Sequence, residues 1–166
     1  RPIALLAEAR LLALRERGDE ALTLAARSGG TGRYEDDFAR AAERMRVVLT
    51  QTGVAVRGTP AREQVDRAAD NHDAYLKVHE EVNSLDRQGS YDDAVRLAIG
   101  QDTATTFREM TGSLDAALSD RREAFEAEIG SAGRGLGALT VLGPLLALAV
   151  CALAAAGLRA RLREYQ

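Results

Sequence analysis

The chain has 166 residues, with 25 acidic against 22 basic and a net charge of −3 at neutral pH. Ahead of Arg134 the balance is 18 basic against 24 acidic residues, a net of −6, which argues against a nucleic-acid partner. Its single cysteine, Cys151, excludes a disulfide framework and a thiolate metal site within one chain.

Four helical segments are expected in the first 133 residues. The first runs from about Pro2 to Ser28: proline suits an opening turn, where its missing N–H costs nothing, and Ser28-Gly29-Gly30-Thr31-Gly32 ends it. Gly18 falls in its middle and disfavours a helix there by about 1 kcal/mol relative to alanine. The second runs from about Tyr34 to Thr52, with Phe38, Ala41, Met45 and Val48 on one face. A linker from Gly53 to Thr59 follows, and Thr59-Pro60 reads as an N-cap with proline in the first turn. The third, Pro60 to Arg87, places Val65, Ala68, His72, Tyr75, Leu76, His79 and Val82 at helical spacing. Gln88-Gly89 ends it, and Ser90-Tyr91-Asp92-Asp93 resembles a capping box opening the fourth.

That fourth segment runs from Ser90 to Ile129, roughly 60 Å if unbroken, with Val95, Ala98, Phe107, Met110, Leu114, Leu118 and Phe125 on one side. Gly100 and the stretch Thr103 to Thr106 are the places where it would break or bend. No useful strand-like alternation appears beyond Val54-Ala55-Val56. Four helices with short connections predict an all-α, antiparallel up-down-up-down four-helix bundle over residues 1–133, one domain with one core. Aromatic residues are few, so that core is expected to be built from Leu, Ala and Val.

Gly135 to Leu158 is a run of 24 residues without a charge, and Arg159, Arg161 and Arg163 follow it. A helix of that length reaches roughly 36 Å, enough to cross a hydrocarbon core of about 30 Å. A transmembrane helix over 134–158 is therefore expected, with a short cytoplasmic tail over 159–166, because positive flanks stay inside. The bundle then lies outside the cell, and the chain is a cell-membrane protein with lipid as its first partner. Exporting such a domain needs something upstream, so a second membrane helix is expected ahead of Arg1. At the start of the run, Gly133 and Gly137 have small-xxx-small spacing for helix packing, and Gly143-Pro144 is expected to kink the helix. Cys151 reads as a packing residue at bilayer depth.

The residues that could carry chemistry are few. His72 and His79, the sole histidines, share a face with Tyr75 and Asn83. Seven residues separate them, about 10 Å along the helix and too far for one zinc ion. They read as hydrogen-bonded histidines at the bundle seam, with a pH-responsive seam as the sharper alternative. Glu35-Asp36-Asp37, Glu80-Glu81 and Asp92-Asp93 read as solvated acids, mostly at helix starts, where the macrodipole favours them. Arg40, Arg44 and Arg46 could receive an anion but read as a solvated face. Arg17-Gly18-Asp19 lies in a helical segment, not the extended loop that integrin recognition needs. No nucleophile triad, phosphate loop or HExxH is present, so no catalytic, cofactor-binding or metal residue is assigned and the protein is read as a non-enzyme.

The stretches RGDEALTLAARSGGTGRYEDDFARA and GSYDDAVRLAIGQDTATTFREMTGSLDAAL resemble bacterial four-helix-bundle extracellular sensor domains of membrane proteins. Within that class, DEALTLAARSG, YEDDF and the LRARLREYQ ending are similar to an actinobacterial membrane protein encoded beside a glutamate/glutamine-binding lipoprotein and a cytosolic protein kinase. The resemblance implies signal transduction: an extracellular amino-acid-binding protein on one side, a separate cytosolic signalling protein on the other. It carries over no ligand residues. The sequence-level alternative is a structural or scaffolding membrane protein whose bundle mediates only oligomerisation, such as a homodimer.

Overall fold

The computed structural model describes residues 2–26, 31–130 and 150. Among these, every regular element is a helix: α1 (Pro2–Ala26), α2 (Thr31–Ala55), α3 (Ala61–Arg87) and α4 (Tyr91–Ala98), then α5 over residues 101–130. The described part of the chain is all-helical, as its periodicity predicts. Residues up to Arg122 form one compact unit, and Glu123–Gln166 form a second.

Where the boundaries differ from expectation, backbone bonds have replaced the predicted caps. Helix α2 continues through Val54 and Ala55, so the brief β-like alternation there is helical. The connection shortens to a turn around Gly58, whose φ of +76° is a left-handed conformation that glycine adopts without a Cβ clash. The Thr59 hydroxyl donates backward to the Val56 carbonyl at 2.8 Å instead of capping α3, and the Arg62 N–H bonds the Thr59 carbonyl at 3.1 Å. Ser90 likewise makes no side-chain cap; its carbonyl accepts the N–H groups of Asp93 and Ala94. Gly89, with φ +81°, makes the turn between α3 and α4.

The 40-residue fourth segment is two helices. Helix α4 ends at Ala98, and α5 starts with the Ala104 N–H on the Gly100 carbonyl at 2.9 Å. The Thr103 hydroxyl donates to the Leu97 carbonyl at 2.7 Å and so satisfies the end of α4. A Cβ on Gly100 would sit 3.0 Å from the Arg96 carbonyl oxygen, which explains a glycine at the break.

Residue pairs fix the directions of the helices. Glu8 with Arg44 and Arg15 with Asp37 run α1 against α2, while Gly53 with Arg62 and Glu35 with Asn83 run α2 against α3. Arg10 with Asp115 and Arg17 with Phe107 run α1 against α5, and Glu16 with His72 and Glu20 with His79 make α1 and α3 parallel. The result is a helical bundle with three stacked layers. Leu6, Ala9, Ala13, Met45, Val48, Val65, Met110 and Leu114 belong to an apolar layer near the start of α1. Leu24, Val82, Ala94 and Ala98 form a smaller apolar cluster at the other end. Phe125, expected on the core face, is exposed and belongs to the second unit. The expected membrane helix over 134–158 and the tail over 159–166 lie outside the described residues, apart from Val150. Among the described residues no helix is long and apolar enough to cross a membrane.

Candidate functional site

Between the two apolar layers lies a buried polar one. Its origin is an unusual helix face. The inward stripe of α1 reads Leu6, Ala9, Ala13, Glu16, Glu20 and Thr23, so regular helical spacing carries two glutamates into the interior, at 0 % and 2 % exposure. Opposite them α3 presents His72, Tyr75 and His79 from successive turns. Helix α2 adds Glu35 and Phe38, and α5 adds the ring of Phe107.

Each buried glutamate has its own partners. His72 Nε2 lies 3.1 and 3.2 Å from the two carboxylate oxygens of Glu16, in a fully buried pair. Glu20 Oε2 accepts from the Tyr75 hydroxyl and from the Arg17 guanidinium, each at 2.8 Å, while its Oε1 lies 3.2 Å from His79 Nδ1. His79 Nε2 lies 3.3 Å from Glu35 Oε1, which also accepts from the Asn83 amide at 2.7 Å. The imidazole of His79 is thus bridged by a carboxylate at each nitrogen.

That bridging decides its charge. Burial alone would favour the neutral ring, but hydrogen bonds to Glu20 and Glu35, with their negative charges, outweigh it and raise His79 to about 9. That shift favours the imidazolium at neutral pH, with Nδ1 facing Glu20, and Nε2 facing Glu35 and lying 3.0 Å from the Asn83 amide nitrogen. Glu35 is correspondingly lowered, first by its hydrogen bond to His79, against partial burial. The Tyr75 hydroxyl is pushed far up, by burial and then by the Glu20 charge, so it stays a neutral donor. Rings close the remaining sides: Phe107 stands tilted to Tyr75 at 5.8 Å, and Arg17 lies 5.8 Å above the Phe107 ring.

The four residues grouped on one face in sequence, His72, Tyr75, Asn83 and His79, are brought together here, and the reading as hydrogen-bonded seam histidines matches their surroundings. Sequence reasoning missed Glu16, Glu20 and Arg17. Glu35, read as a solvated helix-start acid, is instead a member of the network. Arg40, Arg44 and Arg46 are exposed and pair with Asp37, Glu8 and Glu43. Asp92 and Asp93 sit in the first turn of α4, as expected of helix-start acids.

The network contains no cysteine or serine nucleophile, and among the described residues no group of His, Cys, Asp or Glu is arranged to hold a metal ion. What it can do is fix charge: it sets carboxylates of α1 and α2 against an imidazolium of α3 at one register. His72 also forms part of the wall of a groove between α2 and α3, about 550 Å³ in volume, edged by Arg46, Arg62 and Asp73. Comparison with protein-family models, curated proteins and solved structures finds no match to this chain.

Proposed function

We propose that this chain is the extracellular relay domain of a membrane-anchored signalling protein, without catalysis: a helical bundle over 1–133, a transmembrane helix over 134–158 and a short cytoplasmic tail. The observation that carries the reading is the buried ionic layer joining α1, α2 and α3. Buried charge networks have discrete satisfied arrangements, not a continuum, so such a bundle has the makings of a two-state element. In sequence the last helix leads into a charge-free run flanked by arginines, which supplies the route across a bilayer. The resemblance noted above adds the input and the output: an amino-acid-binding protein outside and a separate signalling protein inside.

The test is the melting temperature of the full chain in lipid nanodiscs against a panel of amino acids, with and without a glutamate-type binding lipoprotein from the same genome. A ligand at 100 times its Kd adds about 2.7 kcal/mol. A shift with the loaded binding protein alone supports the relay; a shift with a free amino acid makes the bundle a direct sensor. No shift under any condition leaves the scaffolding reading.

A further inference from the structure

Helix α1 is built inside out. While Glu16 and Glu20 point into the bundle, Leu11 and Leu14 stand outside it at 67 % and 55 % exposure. These leucines are part of a longer pattern. Ala4, Leu11, Gly18 and Ala25 recur every seven residues, and Ala7, Leu14 and Ala21 fall between them at alternating steps of three and four. Every one of these positions is exposed. The stripe is a complete heptad seam on the side of α1 that faces away from its own core.

We propose that this outer stripe of α1 is a homodimer interface, packing against the same stripe of a second copy as a parallel two-stranded coiled coil. Three observations support a copy of this chain as the occupant. The seam spans about 32 Å, a little over three heptads, which is the length at which heptad pairing becomes specific. Its residues are small apart from two leucines per chain, so two identical helices can approach closely, to interaxial distances of about 8 Å.

Charge is compatible with a second copy as the partner. In a parallel pair the residues flanking the seam meet across it, which brings Arg10 of one copy towards Arg15 of the other. Bare, these would repel. Each already carries its own acid, Arg10 with Asp115 on α5 at 3.1 Å, and Arg15 with Asp37 on α2 and Asp19 on α1, both at 3.7 Å. Glu8, on the same rim, is held by Arg44. The edge of the stripe is therefore a set of neutralised pairs that an identical edge meets without a net like-charge penalty.

The parallel direction rests on the proposed anchoring, since two copies held in one membrane present α1 in the same sense; the α1 contact itself does not. Anchoring also raises the effective concentration of a short seam.

The test uses the full chain in membranes with Cys151→Ser as background. Leu11→Cys and Leu14→Cys should each oxidise to a disulfide-linked dimer roughly tenfold or more in excess of Lys77→Cys, an exposed position on α3. Adding Leu11→Gln and Leu14→Gln to Ala7→Cys should abolish cross-linking while the helical circular dichroism of the folded chain stays unchanged, since both leucines lie outside the core. Cross-linking at 11 and 14 no greater than at 77 overturns the interface. Cross-linking of Ala7→Cys to Ala21→Cys, but of neither to itself, marks an antiparallel pair and overturns the parallel seam and its shared-membrane premise. Failure of the relay reading by itself, with no ligand-dependent shift, leaves the cross-linking at 11 and 14 intact.

Discussion

Phe38 lies flat on the imidazole of His79, with ring centroids 3.5 Å apart and planes 11° from parallel. Carboxylates of Glu20 and Glu35 occupy the two edges of that ring, so its charge is met in the plane by oxygen and on the face by π density. The Glu35 carboxylate on the outer edge is partly open to solvent, while the ring itself is buried.

Removing it should expose how much the layer depends on it. His79→Gln leaves Glu20 and Glu35 facing each other across a neutral amide. The expected loss is about 3 kcal/mol, the usual consequence of breaking one partner out of a buried ion pair. Urea denaturation of the purified full chain measures it. A loss below about 1 kcal/mol would mean that water reaches the site.

Stability should also fall as the solution turns alkaline. His79 is raised from 6.5 to about 9, so its contribution is complete below pH 6.5 and is lost as pH rises through 9. The groups on it are Glu20 from α1, Glu35 and Phe38 from α2 and Asn83 on its own helix, with Arg17 and Tyr75 held on the Glu20 carboxylate. The shift corresponds to about 3 kcal/mol between pH 6.5 and 9. Glu35 works in the opposite sense: its pKa is lowered, so its smaller share is present above the unfolded carboxylate value and lost in acid. Unfolding free energy measured at intervals from pH 6 to 9.5 should decline in the wild type and stay nearly flat in His79→Gln.

The Glu16–His72 pair invites a double-mutant cycle. Glu16→Leu leaves a buried imidazole without its partner, and His72→Leu strands a buried carboxylate; the latter should cost about 3–5 kcal/mol. With both replaced, the site becomes apolar between apolar layers, and stability should return to within about 1 kcal/mol of wild type. A double variant as unstable as the worse single one would argue that the pair anchors the neighbouring network.

Two glycines should respond oppositely to alanine. Gly18 is exposed mid-helix and a Cβ there meets nothing within 4 Å, so Gly18→Ala should stabilise by about 0.5–1 kcal/mol. Gly89 has φ +81°, where a Cβ is strained, and Gly89→Ala should destabilise by about 1–2 kcal/mol. Thermal midpoints of the two variants, moving apart from the wild type, check both.

Much of this architecture was legible in the sequence because α2, α3 and α5 each carry one apolar stripe. His72, Tyr75 and His79 could be placed on one face for that reason. Helix α1 could not be oriented the same way. It carries two stripes on opposite faces, the inner one interrupted by Glu16 and Glu20 and the outer one richer in leucine and alanine, so hydrophobic periodicity points both ways. Glu35 was hidden by the same logic: an acid near a helix start is satisfied by the macrodipole until a buried cation is placed beside it. A cue did exist, because histidines at successive inward positions of α3 call for acids opposite. Caps at Thr59 and Ser90 failed for a local reason, since the tight turns before α3 and α4 satisfy those N–H groups through carbonyls.

The ionic layer takes its carboxylates and imidazoles from α1, α2 and α3, whereas α5 contributes a phenyl ring. Sliding α1 past α3 by one turn, about 5.4 Å, would break both the Glu16–His72 and the Glu20–His79 pairs. The same slide of α5 would disturb the Phe107 contacts and the exposed Arg10–Asp115 pair while leaving each carboxylate on its imidazole. The first three helices therefore act as a keyed frame that cannot creep by degrees, and α5 as an unkeyed rod held against it by grease.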